Sequence, residues 1–146
     1  MSALSNPRIL KRFIIYLAML TFVMFGVWSF WGTFVETPAG DFEVREGDIK
    51  LSSGEFEAAV ADFDRALAVQ PNHRGALLGK AAALIQLQRY DAAEKVLTHA
   101  IDFLKNHLDP DDPTGRGALA AAYGNRGIVH DTQGRYEQAL ADYIDS

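Results

Sequence analysis

One short motif occurs three times along this chain of 146 residues, and it limits the folds that the chain can adopt. Each copy has a turn residue or a polar stand-in, an aromatic residue two positions later, then an acid, and an alanine two positions after the acid. The copies span residues 54–59, 88–93 and 134–139. The first two lie 34 residues apart, and the third follows the second after 46. A period of this length is typical of stacked helical hairpins, each of which buries its apolar face against the next.

A second pattern has the same period and lies in the helix before each motif. A large residue is followed by a small one four positions later and by another large one three positions further, at Glu43, Gly47 and Lys50, at Leu77, Ala81 and Leu84, and at Tyr123, Gly127 and His130. Together the two patterns resemble the tetratricopeptide repeat, a unit of two antiparallel helices. The resemblance implies an all-α, antiparallel helix-hairpin solenoid with repeats at about 40–73, 74–113 and 114–146. The last repeat is incomplete, so we expect the natural protein to continue past Ser146.

Small residues at fixed places explain how such helices approach each other. They occupy Gly47, Ala81 and Gly127 in the first helices and Ala59, Ala93 and Ala139 in the second helices. Large residues of the second helices should then fill the space between one hairpin and the next. These are Phe56, Tyr90 and Tyr136, with Phe63, Leu97 and Tyr143.

Turn and helix-stop residues give the helix bounds. We predict helices at 41–52, 55–69, 74–87 and 90–107, and a third hairpin that starts near Thr114 and turns at 133–134. The third motif comes 12 residues later than the period requires, so both helices that flank Asp109–Gly115 should be longer than usual. The three aspartates of this stretch do not fit a calcium loop of the EF-hand kind, since Pro113 and Thr114 stand where a ligand and a glycine are needed. We interpret the stretch as an acidic, solvated turn.

The N-terminal part contains an uncharged run of 23 residues, Phe13–Val35. As a helix it is about 34 Å long, enough to cross a hydrocarbon core of about 30 Å. Basic residues precede the run, namely Arg8, Lys11 and Arg12, and acids follow it, so we predict an inner-membrane protein with its N-terminus in the cytoplasm. The predicted parts are a cytoplasmic tail at 1–12, a transmembrane helix at 13–35, a linker at 36–40 and a periplasmic domain at 41–146. A cleaved signal peptide is the alternative, although the run is long for one. In a mitochondrial outer membrane the same pattern would place the repeats in the cytosol.

The span itself offers little chemistry. It contains no ionisable Asp, Glu, Lys, Arg or His, so we predict a role in anchoring and packing. Gly26, Ser29 and Thr33 fall near one face and are the candidates for contact with a neighbouring membrane helix. A lipid-facing role for the same residues is the alternative.

Composition excludes several functions. The chain has no cysteine, which removes thiol catalysis, disulfides and thiolate metal sites. The region after residue 35 has a net charge of −8, which disfavours binding to nucleic acid. No two of the four histidines have the i, i+4 spacing of a helical zinc site, and the paired carboxylates Asp62/Asp64 and Asp111/Asp112 are interpreted as solvated positions. We predict no catalytic, cofactor or metal site, and no enzyme.

The resemblance implies a binding groove lined by the first helix of each repeat. Its candidates are Val44, Asp48, Leu51, Leu78, Ala82, Ile85, Ile128 and Asp131. Some members of the family hold a peptide carboxylate with basic residues and Asn at such places, but Asp48, Ala82 and Ile128 stand here instead, so an apolar peptide or a partner helix fits better. We predict a protein interaction scaffold or accessory subunit of a membrane-protein complex. The alternatives are a subunit of a respiratory or photosynthetic complex and a released periplasmic chaperone.

Overall fold

The structure is a computed structural model, and it describes residues 7–32, 38–109 and 111–146. Within these ranges every regular element is a helix, which confirms the all-α class. The seven helices are α1 (Pro7–Gly32), α2 (Asp41–Ser52), α3 (Phe56–Val69), α4 (Arg74–Gln86), α5 (Tyr90–His107), α6 (Pro113–Thr132) and α7 (Tyr136–Asp145). They form two compact units, Met1–Thr37 and Pro38–Ser146.

The first unit contains helix α1, which has 26 residues. By length and composition its segment Pro7–Ser29 is able to cross a membrane. The helix begins six residues before the apolar run, since proline is well tolerated in a first helical turn. Gly26 and Ser29 lie in α1, and a Cβ atom added at Gly26 would meet nothing within 4 Å. Thr33 lies outside the described residues.

The second unit consists of three hairpins, α2–α3, α4–α5 and α6–α7. The helix bounds differ from the predicted ones by one residue at most, because the turns have the expected chemistry. Gly54 and Gly134 have φ angles of 81° and 75°, in the left-handed region that favours glycine. Gln88 takes the same place in the middle hairpin with a φ of 57°. The repeated turn therefore fixes where each first helix ends.

The helices that flank the long interval are extended, as predicted. Helix α5 has 18 residues and α6 has 20, whereas α3 has 14 and α4 has 13. Asp112 caps α6, because its carboxylate accepts a hydrogen bond from the Gly115 backbone N–H at 2.9 Å. Pro113 follows in the first helical turn. The last residues of this acidic stretch therefore form the N-terminal cap and first turn of α6.

The packing within and between hairpins depends on glycines that lie against aromatic rings. Phe63 of α3 is fully buried, and its ring is so close to two glycines that a Cβ atom would lie 2.7 Å from it at Gly47 of α2 and 2.4 Å from it at Gly79 of α4. Tyr143 of α7 packs on Gly127 of α6 in the same way. The predicted close approach at Gly47 and Gly127 is thus confirmed, and Phe63 joins the first hairpin to the second.

Candidate functional site

The candidate groove lies on three neighbouring helices, since α4 packs against both α2 and α6. Residues at spacings of three and four share one face of each helix. On these faces Asp48, Ile128 and Asp131 are exposed, and the others are half-buried, namely Val44, Leu51, Leu78, Ala82 and Ile85. The half-buried leucines, valine and isoleucine also pack against the core. The predicted residues therefore form a mostly apolar surface that is only partly open to a ligand.

Three basic residues of these helices are engaged in ion pairs with other helices, whereas Arg45 of α2 and Arg116 of α6 are exposed. Lys50 lies 2.6 Å from Asp62, Lys80 lies 2.5 Å from Asp64, and Arg126 lies 2.6 Å from Asp142, so each base pairs with an acid of a second helix. The predicted groove positions carry Asp48 and Asp131 as their only charges. Burial raises the pKa of Asp48, because a partly desolvated carboxylate is harder to ionise. This surface is thus apolar with a weak negative charge.

The structure corrects the interpretation of Asp62 as a solvated residue. It was expected to be solvated, but its side chain is fully buried, whereas Asp64 next to it in the chain is half exposed. Lys50 reaches it from α2, and Arg65 of its own helix contacts its other oxygen. The repeat gave a signal for this burial, because Asp62 takes the same place as the half-buried Val96. A buried carboxylate persists only when its charge is compensated.

The third hairpin contains a second buried charge cluster. Asp142 of α7 is buried and accepts hydrogen bonds from Arg126 Nε at 3.0 Å and Nη2 at 2.6 Å. The hydrogen bond to Asp142 raises the pKa of Arg126. His130 is also buried, with Nδ1 3.0 Å from Asp142 Oδ2 and Nε2 3.1 Å from Glu94 Oε1. Nε2 of His130 is hydrogen-bonded to Glu94, whereas Nδ1 lies close to Asp142 without forming a hydrogen bond.

Glu94 of α5 connects this cluster to the preceding hairpin. Arg135 donates to both of its oxygens, from Nη1 at 3.0 Å and from Nη2 at 2.5 Å. The hydrogen bond from Arg135 is the main cause that lowers the pKa of Glu94 to about 2. The same hydrogen bond, between Arg135 and Glu94, raises the pKa of Arg135. The contact therefore stabilises the fold only while Glu94 is ionised.

We expect the free energy of unfolding to vary with pH because of Glu94. Its folded pKa of about 2 lies below its ordinary value of 4.5, so the stabilisation is complete above pH 4.5 and is lost as the pH falls toward 2. In Glu94→Gln the urea midpoint should be lower at pH 7 and should fall less between pH 5 and pH 3 than in the wild type. Glu137→Gln, a matched change at an exposed position, should retain the wild-type fall. An equal fall in Glu94→Gln would contradict the assignment.

A pocket of about 830 Å³ lies where the start of α4, the end of α5 and the start of α6 meet. Its apolar lining consists of Pro38, Leu78, Phe103, Leu104, Leu108, Ala118 and Ala121.

Arg74 donates to Asp112 across this pocket at 2.7 Å. The backbone N–H of Gly115, followed by Arg74, lowers the pKa of Asp112. His73 accepts from the Ala76 N–H through Nδ1 and donates through Nε2 to Asp41 at 2.7 Å.

Sequence reasoning found only Leu78 among the pocket residues. The extra length was a signal for part of the lining, since the walls from Phe103 to Leu108 and from Asp112 to Ala121 lie at or beside the extended ends of α5 and α6. The charged residues named at the pocket are already paired with each other. Within the described ranges, no group of three or more His, Asp or Glu side chains is placed to hold a metal ion.

Comparison with known proteins adds to this geometry. Models described as tetratricopeptide repeat match residues 44–113 and 119–146. No curated protein matches the chain. A similar solved structure is the second TPR of Spaghetti (RPAP3) bound to the HSP90 peptide SRMEEVD, with a TM-score of 0.61 and 22% sequence identity over 74% of this chain and 89% of that chain. At this identity the likeness shows the helical-repeat fold.

Proposed function

Because this chain is a tetratricopeptide repeat protein, we propose that its second unit is a non-enzymatic protein interaction module that binds an apolar peptide or helix on α2, α4 and α6. The observation that carries the proposal is the mostly apolar character of the predicted positions on these three neighbouring helices. Catalysis would require reactive side chains at this surface. The predicted groove positions offer aliphatic residues and two carboxylates, Asp48 of α2 and Asp131 of α6, which lie on helices that do not pack against each other.

The negative charge of the predicted groove indicates which charge a bound peptide should carry. The peptide in the similar structure ends in Glu-Glu-Val-Asp. Here the groove carries Asp48 and Asp131, and Lys50, Lys80 and Arg126 are paired with acids. An acidic peptide end would meet like charge and find no available base at the predicted positions. An apolar segment, neutral or basic at its ends, fits this surface better.

We further propose that α1 anchors the protein in an inner membrane, with the repeats on the periplasmic side, as an accessory or assembly subunit of a membrane-protein complex. The length and composition of Pro7–Ser29 support an anchor, and the bases before the apolar run support the orientation. Gly26, Ser29 and Thr33 are the proposed contact with a neighbouring helix. A partner bound by the repeats would then lie close to the membrane.

Site-specific photo-crosslinking in native membranes tests both proposals. A photoreactive residue at the exposed Ile128 should capture one discrete partner, whereas the same residue at the exposed Asp102 of α5 should not. Mass spectrometry of the captured product should show the intact N-terminal peptide of this chain and a partner from a membrane complex. Equal capture from Ile128 and Asp102 would refute the groove. A product with a mature N-terminus near Asp41 would refute the anchor and favour a released periplasmic protein.

A further inference from the structure

The pocket at the starts of α4 and α6 is continuous with the proposed groove. Leu78 belongs to both, because it lines the pocket and lies four residues before Ala82 on the same face of α4. On α6, Ala121 lines the pocket and lies seven residues before Ile128, so these two residues also share a face. The pocket is therefore the end of the groove nearest to the starts of α4 and α6, and the extended end of α5 forms its wall there.

Small residues on α4 and α6 leave the space that forms this pocket. Gly75 lines it from α4, and Gly117, Ala118 and Ala121 line it from α6. A Cβ atom added at Gly117 would meet nothing within 4 Å. The volume of about 830 Å³ is in the range of pockets that bind ligands. A large side chain of a segment bound in the groove therefore fits into the pocket.

The charged residues at the pocket are paired with each other. Arg74 donates to Asp112 at 2.7 Å. His73 donates through Nε2 to Asp41 at 2.7 Å. All four residues line the pocket. A charged side chain that entered it would lose its hydration and would have to compete with one of these pairs, so the pocket favours an uncharged side chain.

His107 offers a hydrogen-bond acceptor at the pocket that it lines. Its Nδ1 atom lies 2.8 Å from the backbone carbonyl oxygen of Phe103, which only accepts, so Nδ1 carries the proton. In the neutral ring Nε2 is then an acceptor, and no residue that the structure describes donates to it. The imidazole also stacks on the Phe103 ring, with the ring centroids 4.5 Å apart. The hydrogen bond and the stacking together hold this acceptor in one orientation.

We propose that the pocket holds the side chain of a tryptophan or tyrosine from the segment in the groove, and that His107 Nε2 accepts a hydrogen bond from its N–H or O–H. This anchor rests on the proposed function, because the segment reaches the pocket along α4 and α6. Tryptophan and tyrosine combine a large apolar area with one polar donor, and they are common anchors of protein interfaces. Phe103, Leu104 and Leu108 supply the apolar contact.

Peptide binding to the full chain in nanodiscs of zwitterionic lipid tests the anchor. The probe is a fluorescently labelled peptide of alanine and leucine with one central tryptophan and a lysine at each end, and empty nanodiscs are measured beside it. Exchange of the tryptophan for alanine should raise the Kd about tenfold, since the anchor is lost. Exchange for phenylalanine should raise the Kd about fivefold, because the ring is retained without its donor.

Variants of the chain locate the bound tryptophan. Gly117→Leu fills part of the pocket and should raise the Kd of the tryptophan peptide about tenfold. Ala61→Leu, at an exposed position of α3, is the matched control and should leave the Kd unchanged. His107→Phe keeps an aromatic ring but removes the acceptor, so it should bind the tryptophan and phenylalanine peptides equally. Circular dichroism should show the wild-type helix content in all three variants.

Three results would overturn the anchor. One is no binding, or a Kd that Gly117→Leu leaves unchanged. Another is a preference for tryptophan over phenylalanine that His107→Phe retains, because the hydrogen bond would then be absent. The third is binding of free indole that Gly117→Leu abolishes, without binding of the peptide, which would make a small molecule the occupant.

Failure of the groove itself gives a different result. Equal capture from Ile128 and Asp102 in the wild-type chain refutes the groove. Capture from Ile128 that exceeds capture from Asp102, and that Gly117→Leu leaves unchanged, supports the groove and overturns the anchor. The two proposals are therefore tested separately.

Discussion

Gly79→Val is expected to lower the free energy of unfolding by about 3 kcal/mol, near the upper end of the usual cost of overpacking. A Cβ atom at Gly79 would lie 2.4 Å from the ring of Phe63, and valine adds two further methyl groups. The ring has no space to retreat, because Gly47 closes its other side and Phe63 is fully buried. Urea unfolding followed by circular dichroism measures the loss.

Two further variants control this result. Gly117→Ala changes another helical glycine, but nothing lies within 4 Å of its added Cβ atom, so it should raise stability by about 0.5–1 kcal/mol. Phe63→Leu combined with Gly79→Ala should be more stable than Gly79→Ala alone, since the smaller side chain vacates the contested space. A Gly79→Val protein as stable as the wild type would show that the first two hairpins are not held at this distance.

Lys50→Leu should cost about 3 kcal/mol, the lower end of the usual cost of leaving a buried charge without its partner. Asp62 is fully buried and Lys50 lies 2.6 Å from it. Arg65 retains a contact with Asp62, which keeps the cost from being larger. The free energy of unfolding from urea titration is the readout.

The double variant Lys50→Leu/Asp62→Val should recover most of that loss. It installs the residues of the middle hairpin, where Leu84 is buried and Val96 is packed against the core. Replacement of a buried ion pair by well-packed apolar residues is often neutral or stabilising. Asp62→Val alone should cost less than Lys50→Leu, because the partly exposed Lys50 can reach water. If Lys50→Leu proved neutral, Asp62 would not depend on this partner.

The sequence predicted the helices and their stacking well, and it failed where a charged residue pairs with a residue of another helix. Turn residues such as Gly54 and Pro71 mark helix ends locally, so the bounds follow from the sequence alone. The burial of Asp62 follows only in part, because the repeat aligns it with the half-buried Val96 but its charge is compensated only once Lys50 is placed beside it. The pocket depends on how the extended ends of α5 and α6 meet α4, which is a tertiary arrangement. The pairing of Asp64 with Lys80 likewise appears only when the hairpins are stacked.

The placement of the buried charges also decides which pieces of such a chain can be exchanged between related genes. Asp62 has Lys50 as its partner in the same hairpin, and Asp142 has Arg126 in the same hairpin. A duplication or recombination that moves a whole hairpin carries both members of the pair. A crossover inside a hairpin, which joined α5 to α2, would set Lys50 against Val96 and leave it without a counter-charge. For these two pairs, exchange between genes is therefore less disruptive at the junctions near residues 70–73 and 109–112 than at the turns within each hairpin.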